Sequence, residues 1–368
     1  MTRSSSQERS ETASQLFGKA GAFPFFFALF DDFLSQENDV ALSLTGPNMQ
    51  EQLSYKSILH AAGIIKDNPD MTKEEVIQKL RATAAPSCMS KLEKNVNLAV
   101  QAMLMVDCTA NHWHATDFTL GNHRPISWLS QEKYVDFFER SFPAGHQSSL
   151  NKIQAAIEDK ASMKAWKLQK RLGISFRGTN NLAEHLLFDP RRNCLYLFHH
   201  AEFLKAHLER YQSHDRPLEM TALESLNLGT VPAQLLVETL HSLQSLLFPP
   251  IDQKSAAILD RLMTKRNENF DCECAEYEGY KIFQEPPESF QYVYWGERLV
   301  HLQELLKTRP PRNRLERWLK WQSSEGNALF VALLALLISI CVGAVSVGIG
   351  AVQVWIAWMA WKHPVAPG

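Results

Sequence analysis

Along most of the chain apolar residues recur every three or four positions, the spacing of one helix face. Ile153, Ile157, Ala161, Ala165, Leu168 and Leu172 keep that spacing and predict a long helix over 152–172. Leu236, Leu240, Leu243 and Leu247 keep it again behind Pro232, which suits a first helical turn, and Pro249–Pro250 end the segment. That stripe covers too little length for a coiled coil and predicts a core helix. Thr72 followed by Glu75 makes a capping box opening a helix to about Ala82. Further helices are expected over 89–107 and over 131–141, the second with Ser130 as its N-cap. Residues 20–34 contain AGAFPFFFALF followed by Asp31 and Asp32. Without a basic region directly ahead of it, this run predicts a helix packed on the body and not a secretory signal.

One region changes period. Thr179 can cap a short helix over NNLAEHL; LLF, DPRRN and CLYLF then read as strand, turn and strand, and AEFLKAHLERY as a helix. The expected fold is mainly α with a small β-hairpin near 186–198, an α+β body. Helix, hairpin, helix is also how a winged-helix module is written, with Arg191 and Arg192 at the wing tip.

Near the end the periodicity gives way to a continuous apolar run. From Gly326 to Trp361 there is no charged residue, and Ala328 to Gly350 reads ALFVALLALLISICVGAVSVGIG. About 20 apolar residues cross the hydrocarbon as a helix, so a transmembrane helix is expected over 328–350. Trp355, Trp358 and Trp361 then mark an interfacial tail over 351–368, with Trp318 and Trp321 at the other interface. Lys307, Arg309, Arg312, Arg314, Arg317 and Lys320 precede the run, opposed by Glu316 alone, whereas Lys362 follows it. Positive-inside bias then places the N-terminal body in the cytoplasm, the layout of a single-pass, tail-anchored protein. The same six residues are candidates for contact with anionic headgroups of the bilayer. Within the run, Ala344 and Gly348 are four apart, a spacing of small residues that lets two helices approach and offers a route to a homodimer.

These elements divide the chain into a polar, Ser-rich N-terminus with a short apolar helix (1–45), a helical domain (46–142), a second helical domain carrying the hairpin (150–305), a basic linker (306–325), the span and the tail. The stretch PAGHQSS over 143–149 has turn composition and suits a boundary. The Ser-rich start suits modification.

Two stretches, TNNLAEHLLFDPRRNCLYLFHHAEFLKAHL and FQYVYWGERLVHLQELLKTRPPRNRLERW with the apolar run behind it, resemble a large group of filamentous-fungal proteins. The resemblance implies a fungal source, a helical body and one C-terminal membrane helix; it brings no activity and no catalytic residues. Here GAVQVWIAWMAW stays apolar where members of that group become polar.

Composition narrows the function classes. The 368 residues carry a net charge of −2 and are 45% hydrophobic, which suits packed cores and argues against a dedicated nucleic-acid binder. Six scattered cysteines form no disulfide framework, and the lack of any Asn-x-Ser/Thr favours a cytosolic body. Histidines gather at His112, His114, His185, His199, His200 and His207, near Glu184 and Glu202, but keep no zinc-helix spacing. Lys160, Lys164, Lys167 and Arg171 make a basic stripe, a solvated face that could also meet phosphates or membrane. Cys272 and Cys274 are a lone C-x-C whose acidic neighbours disfavour the thiolate. No catalytic, cofactor or metal residues are therefore assigned. The expected function is a membrane-held module that binds other proteins. An enzyme using His185 or His199–His200 with a carboxylate is the first rival, and a winged-helix nucleic-acid binder the second.

Overall fold

The structure, a computed structural model, describes residues 6–45, 53–83, 89–108, 126–145, 153–155, 160–212, 220–264, 270–276, 290–308 and 328–362. The chain forms two compact units, Met1–Lys307 and Thr308–Gly368. The first is mainly helical with one small sheet.

Helix α1 (Ser6–Phe17) is polar by composition, yet buries Thr12, Ala13, Leu16 and Phe17 on one side. Helix α2 (Pro24–Thr45) follows, and Phe23, Phe26, Phe27 and Phe30 are all buried, so the apolar run near 20–34 packs on the body as its pattern predicts. Phe17 meets Phe26 edge-on, with centroids 5.0 Å apart. Helices α3 (Tyr55–Asp67), α4 (Lys73–Thr83) and α5 (Met89–Leu104) pack on one another. The capping box that opens α4 is present: the Glu75 carboxylate accepts from the Thr72 N–H at 2.8 Å, and Thr72 Oγ1 accepts from the Glu75 N–H at 3.3 Å.

Two helices differ from their expected starts. Helix α6 (Tyr134–Ser141) begins after Lys133, not Ser130. The Ser130 carbonyl instead accepts from the Glu74 N–H at 3.0 Å, and Lys133 bridges to Thr72, so this stretch is committed to the entrance of α4. The helix expected over 152–172 is broken at Lys164 into α7 (Lys160–Met163) and α8 (Ala165–Leu172). Met163 and Ala165 are both buried. They would lie about 200° apart on an unbroken helix, and the extended Lys164 turns both inward.

A mixed sheet follows, with strand order β1-β3-β2. Strands β2 (Leu187–Asp189) and β3 (Cys194–Phe198) are the hairpin read from the sequence, antiparallel and in register Leu187 to Tyr196. Asp189 Oδ1 accepts from the N–H groups of Arg191 and Arg192 and fixes the turn. Strand β1 (Ser175–Thr179) pairs parallel to β3 and was not anticipated. The segment NNLAEHL is a single 3-10 turn, Leu182–Glu184, capped by Asn181; Thr179 Oγ1 instead accepts from the Asn181 N–H at 3.1 Å.

Helices α9 (Ala201–Gln212), α10 (Ala222–Asn227), α11 (Ala233–His241), α12 (Gln253–Thr264) and α13 (Gly296–Thr308) complete the body. Leu236, Leu240, Leu243 and Leu247 are buried, as the stripe predicts, but α11 widens into a π-helical turn over Ser242–Leu247. The main hydrophobic core runs from Ala13 to Leu302, and Leu187, Cys194 and Tyr196 form a small separate cluster on the hairpin.

The second unit is described over α14 (Ala328–Lys362), a single helix that does not break at Gly350. Its segment Leu333–Met359 has mean hydropathy 2.5 and no buried residue; by length and composition it could cross a membrane. The 27 residues span about 40 Å, longer than a 30 Å hydrocarbon core. Lys362 Nζ lies 5.0 Å from the Trp358 ring, so the last cation folds back on the aromatic end.

Candidate functional site

The richest polar cluster is enclosed in the body where the hairpin, α11 and α13 meet. Glu238, on α11, is wholly buried. Its carboxylate accepts the N–H groups of Val293, Tyr294 and Trp295 at 2.5, 2.9 and 2.9 Å, and Gln234 Nε2 at 2.8 Å. Those N–H groups lead into α13, so Glu238 caps that helix from another element, with its charge at the positive end of the dipole. Burial nevertheless outweighs these bonds and pushes its carboxyl up to about 7. Beside it, Trp295 Nε1 donates to Thr239 Oγ1 at 2.8 Å, and Thr239 Oγ1 donates to the Leu235 carbonyl at 2.7 Å.

His185 sits against the same Trp295, ring centroids 5.4 Å apart. Its Nδ1 accepts from the Phe198 N–H at 3.2 Å, so the ring proton is on Nε2, which donates to Ser242 Oγ at 2.7 Å. Ser242 in turn donates to the Thr239 carbonyl at 2.7 Å. A serine activated by histidine needs the reverse, an unprotonated Nε2 accepting from the hydroxyl. His185 is 0% exposed, and burial, then the charge of Arg298, hold its pKa well below the usual histidine range. Arg298 donates to the His185 carbonyl and stacks on Trp295 at 4.8 Å. The next residue, Leu186, has φ of 59°, a costly conformation for a branched residue, held by its N–H bond to the Tyr196 carbonyl at 2.9 Å.

The second histidine cluster is a stack. His199 and His200 lie 4.3 Å apart, and both Nε2 atoms meet Asn180 Oδ1, at 3.0 and 2.8 Å. One carbonyl oxygen accepting two N–H groups requires both rings in the same neutral tautomer, and burial lowers both pKa values, His199 to about 4. Their Nδ1 atoms have no hydrogen-bond partner. His207 is enclosed by Phe17 and Phe203, with neither ring nitrogen bonded and its pKa pushed down to about 3. Glu184 bonds Thr179 and Asn181, and Glu202 is raised to about 7 by burial and then by Asp271 and Glu273. Among the described residues no three His, Cys, Asp or Glu side chains gather as metal ligands. His112 and His114 lie outside the described residues.

The C-x-C segment is docked, not open. Asp271 accepts from the Glu202 N–H at 2.7 Å and the Glu273 N–H at 2.9 Å, so it fastens the segment to the start of α9. Lys205 Nζ meets Glu273 at 2.6 Å, and Gln244, on the π turn, donates to the Glu276 carbonyl at 2.7 Å. Cys274 is buried and donates to the His199 carbonyl, whereas Cys272 is exposed. Burial, then Asp271, raises both thiol pKa values. A cavity of about 130 Å³, lined by Lys66, Arg210, Tyr211, Asn227, Leu228 and Thr230, includes none of these groups.

Of the six basic residues ahead of the apolar run, Lys307 lies in the last turn of α13 and donates to Gln303 at 3.1 Å. Arg309, Arg312, Arg314, Arg317 and Lys320 lie outside the described residues. Gly348 has nothing within 4 Å of where a side chain would begin, and Ala344 is exposed. Glu238, Asp271, Ser242 and Trp295 were not singled out by the sequence. In the sequence Glu238 shares one helix face with Gln234 four residues earlier, which reads as an ordinary polar face, so nothing local marked it as buried.

No family model, curated protein or solved structure matches the chain.

Proposed function

We propose that this protein is held in a membrane by α14 as a single-pass anchor, with its helical body in the cytoplasm serving as a module that binds other proteins. The observation carrying the proposal is Leu333–Met359, an uncharged segment of 27 residues with mean hydropathy 2.5 and none buried by the chain itself. So large an apolar surface needs lipid or a partner to cover it. The absence of a catalytic role in the proposal is supported by the direction of the hydrogen bonds. In each of the two clusters the rival enzyme would use, imidazole N–H groups serve as donors to fixed acceptors in closed surroundings. The resemblance to filamentous-fungal membrane proteins supports the same architecture.

Orientation rests on Lys307, Arg309, Arg312, Arg314, Arg317 and Lys320. Exchange of all six for Gln should scramble it, shown by the body becoming partly protected from protease added outside sealed vesicles; unchanged accessibility would refute the charge argument. If the span self-associates through Ala344 and Gly348, Gly348→Ile should reduce dimerisation in a membrane reporter assay at least several-fold, because a branched side chain parts backbones that small residues let touch. Equal dimerisation would leave the span a simple tether.

A further inference from the structure

A basic ridge with an apolar tip crosses the surface of the body, and three elements build it. Helix α8 buries Ala165 and Leu168 and turns Lys167, Lys170 and Arg171 outward. At its N-terminal end Lys164 Nζ meets Asp252 Oδ1 at 3.4 Å, next to the turn Pro249–Pro250–Ile251–Asp252. There Ile251 is 95% exposed, although its turn is closed by an Asp252 N–H bond to the Pro249 carbonyl at 2.9 Å. Two prolines and that bond hold the isoleucine out in water, where a loose loop would fold it away. At the C-terminal end of α8 the hairpin turn is fastened by Asn193, whose Nδ2 donates to the Leu172 carbonyl at 3.0 Å. That turn brings the exposed Arg191 and Arg192 to the end of the helix. Between the ends, the ammonium groups of Lys254, Lys167 and Lys170 lie 4.8, 5.6 and 6.0 Å from the ring of Trp166.

We infer that this ridge docks the body onto an anionic lipid surface, with Lys167, Lys170, Arg171, Arg191, Arg192 and Lys254 on the headgroups and Ile251 inserted at the acyl boundary. Charge complementarity selects an anionic partner, and the rigid apolar tip selects one with an apolar layer beneath its charge, which a leaflet has and a nucleic acid backbone lacks. The inference rests on the proposed anchoring only for what brings a bilayer close, since tethering raises the local concentration of the surface.

The test uses the full chain with Cys88, Cys272 and Cys341 changed to Ser and an environment-sensitive fluorophore on Ile251→Cys, placed in nanodiscs of phosphatidylcholine with or without phosphatidylserine. Blue-shifted emission, quenched by acyl-chain spin labels, is expected with phosphatidylserine and not without it. Each lysine near such a surface is worth about fivefold in partitioning. Changing Lys167, Lys170 and Lys254 to Glu should therefore lower the docked population on the order of a hundredfold or more, as should high salt. Emission that ignores lipid charge would overturn the inference. So would a response to short duplex DNA in neutral discs without one to phosphatidylserine, which would make the ridge a nucleic-acid surface. Failure of the chain to enter discs would count against the anchor alone, and flotation of that chain with phosphatidylserine vesicles would then decide the ridge.

Discussion

Acidification from pH 6.5 to 4.5 should remove on the order of 3–5 kcal/mol of folding stability. His185, His199, His200 and His207 are neutral and buried in the folded chain, with pKa values lowered from 6.5, to about 4 for His199 and about 3 for His207. Below pH 6.5 the unfolded chain takes up protons that these rings refuse, so stability present above 6.5 is lost as pH falls toward their folded values. Glu202 and Glu238 act in the opposite sense: raised from 4.5 to about 7, they contribute stability below 4.5 that fades as pH rises through 7. Glu184 and Asp271, also raised by burial, add to that offset. Four histidines against these carboxyls leave a net uptake of about one to two protons on unfolding, or about 1.4–2.7 kcal/mol per pH unit. Urea midpoints of the full chain in detergent, taken across this range, measure it. His207→Leu removes a ring whose two nitrogens are both unbonded, and should flatten the slope by about one proton while leaving stability at pH 7.5 unchanged or higher. Equal slopes for the His207→Leu and parent chains would show that this ring is not buried neutral.

Glu238→Ala should cost about 4 kcal/mol. The substitution strips three N–H groups at the entrance to α13 of their shared acceptor, and an abandoned donor costs about 1–3 kcal/mol when buried. Val293 and Tyr294 are partly open to water, so the loss falls short of three full penalties. Glu238→Gln keeps one carbonyl oxygen for these donors and should cost less than half as much. Urea unfolding at pH 7 compares the two; equal effects would mean that the one oxygen kept by Gln does not serve these donors, and an Ala variant as stable as the parent would mean that the N–H groups do not depend on Glu238.

What the sequence reveals here depends on how local the cause is. The capping box at Thr72 and Glu75, the phenylalanine run of α2 and the hairpin around Asp189 are each set within about a dozen residues, and each is present. Strand β1 is only five residues, SFRGT, and exists because β3 offers it a parallel edge; no local pattern announces it. The break at Lys164 answers a demand to bury both Met163 and Ala165, and the Ser130 carbonyl serves α4, a partner far away in sequence. Helix α1 was hidden by its polar composition, although Ala13, Leu16 and Phe17 share the spacing of a buried face. That histidines gather near Glu184 and Glu202 was legible in the sequence. Their tautomers were not, because these depend on Phe198, Ser242 and Asn180, brought together only by the fold.

The membrane anchor is the central claim, and carbonate extraction tests it most directly. The full chain should stay in the membrane pellet at high pH, and the chain ending at Gln322, which lacks α14, should move wholly to the supernatant. Retention of the shortened chain in the pellet, or release of the full chain, would contradict the assignment of Leu333–Met359 as the segment that crosses the bilayer.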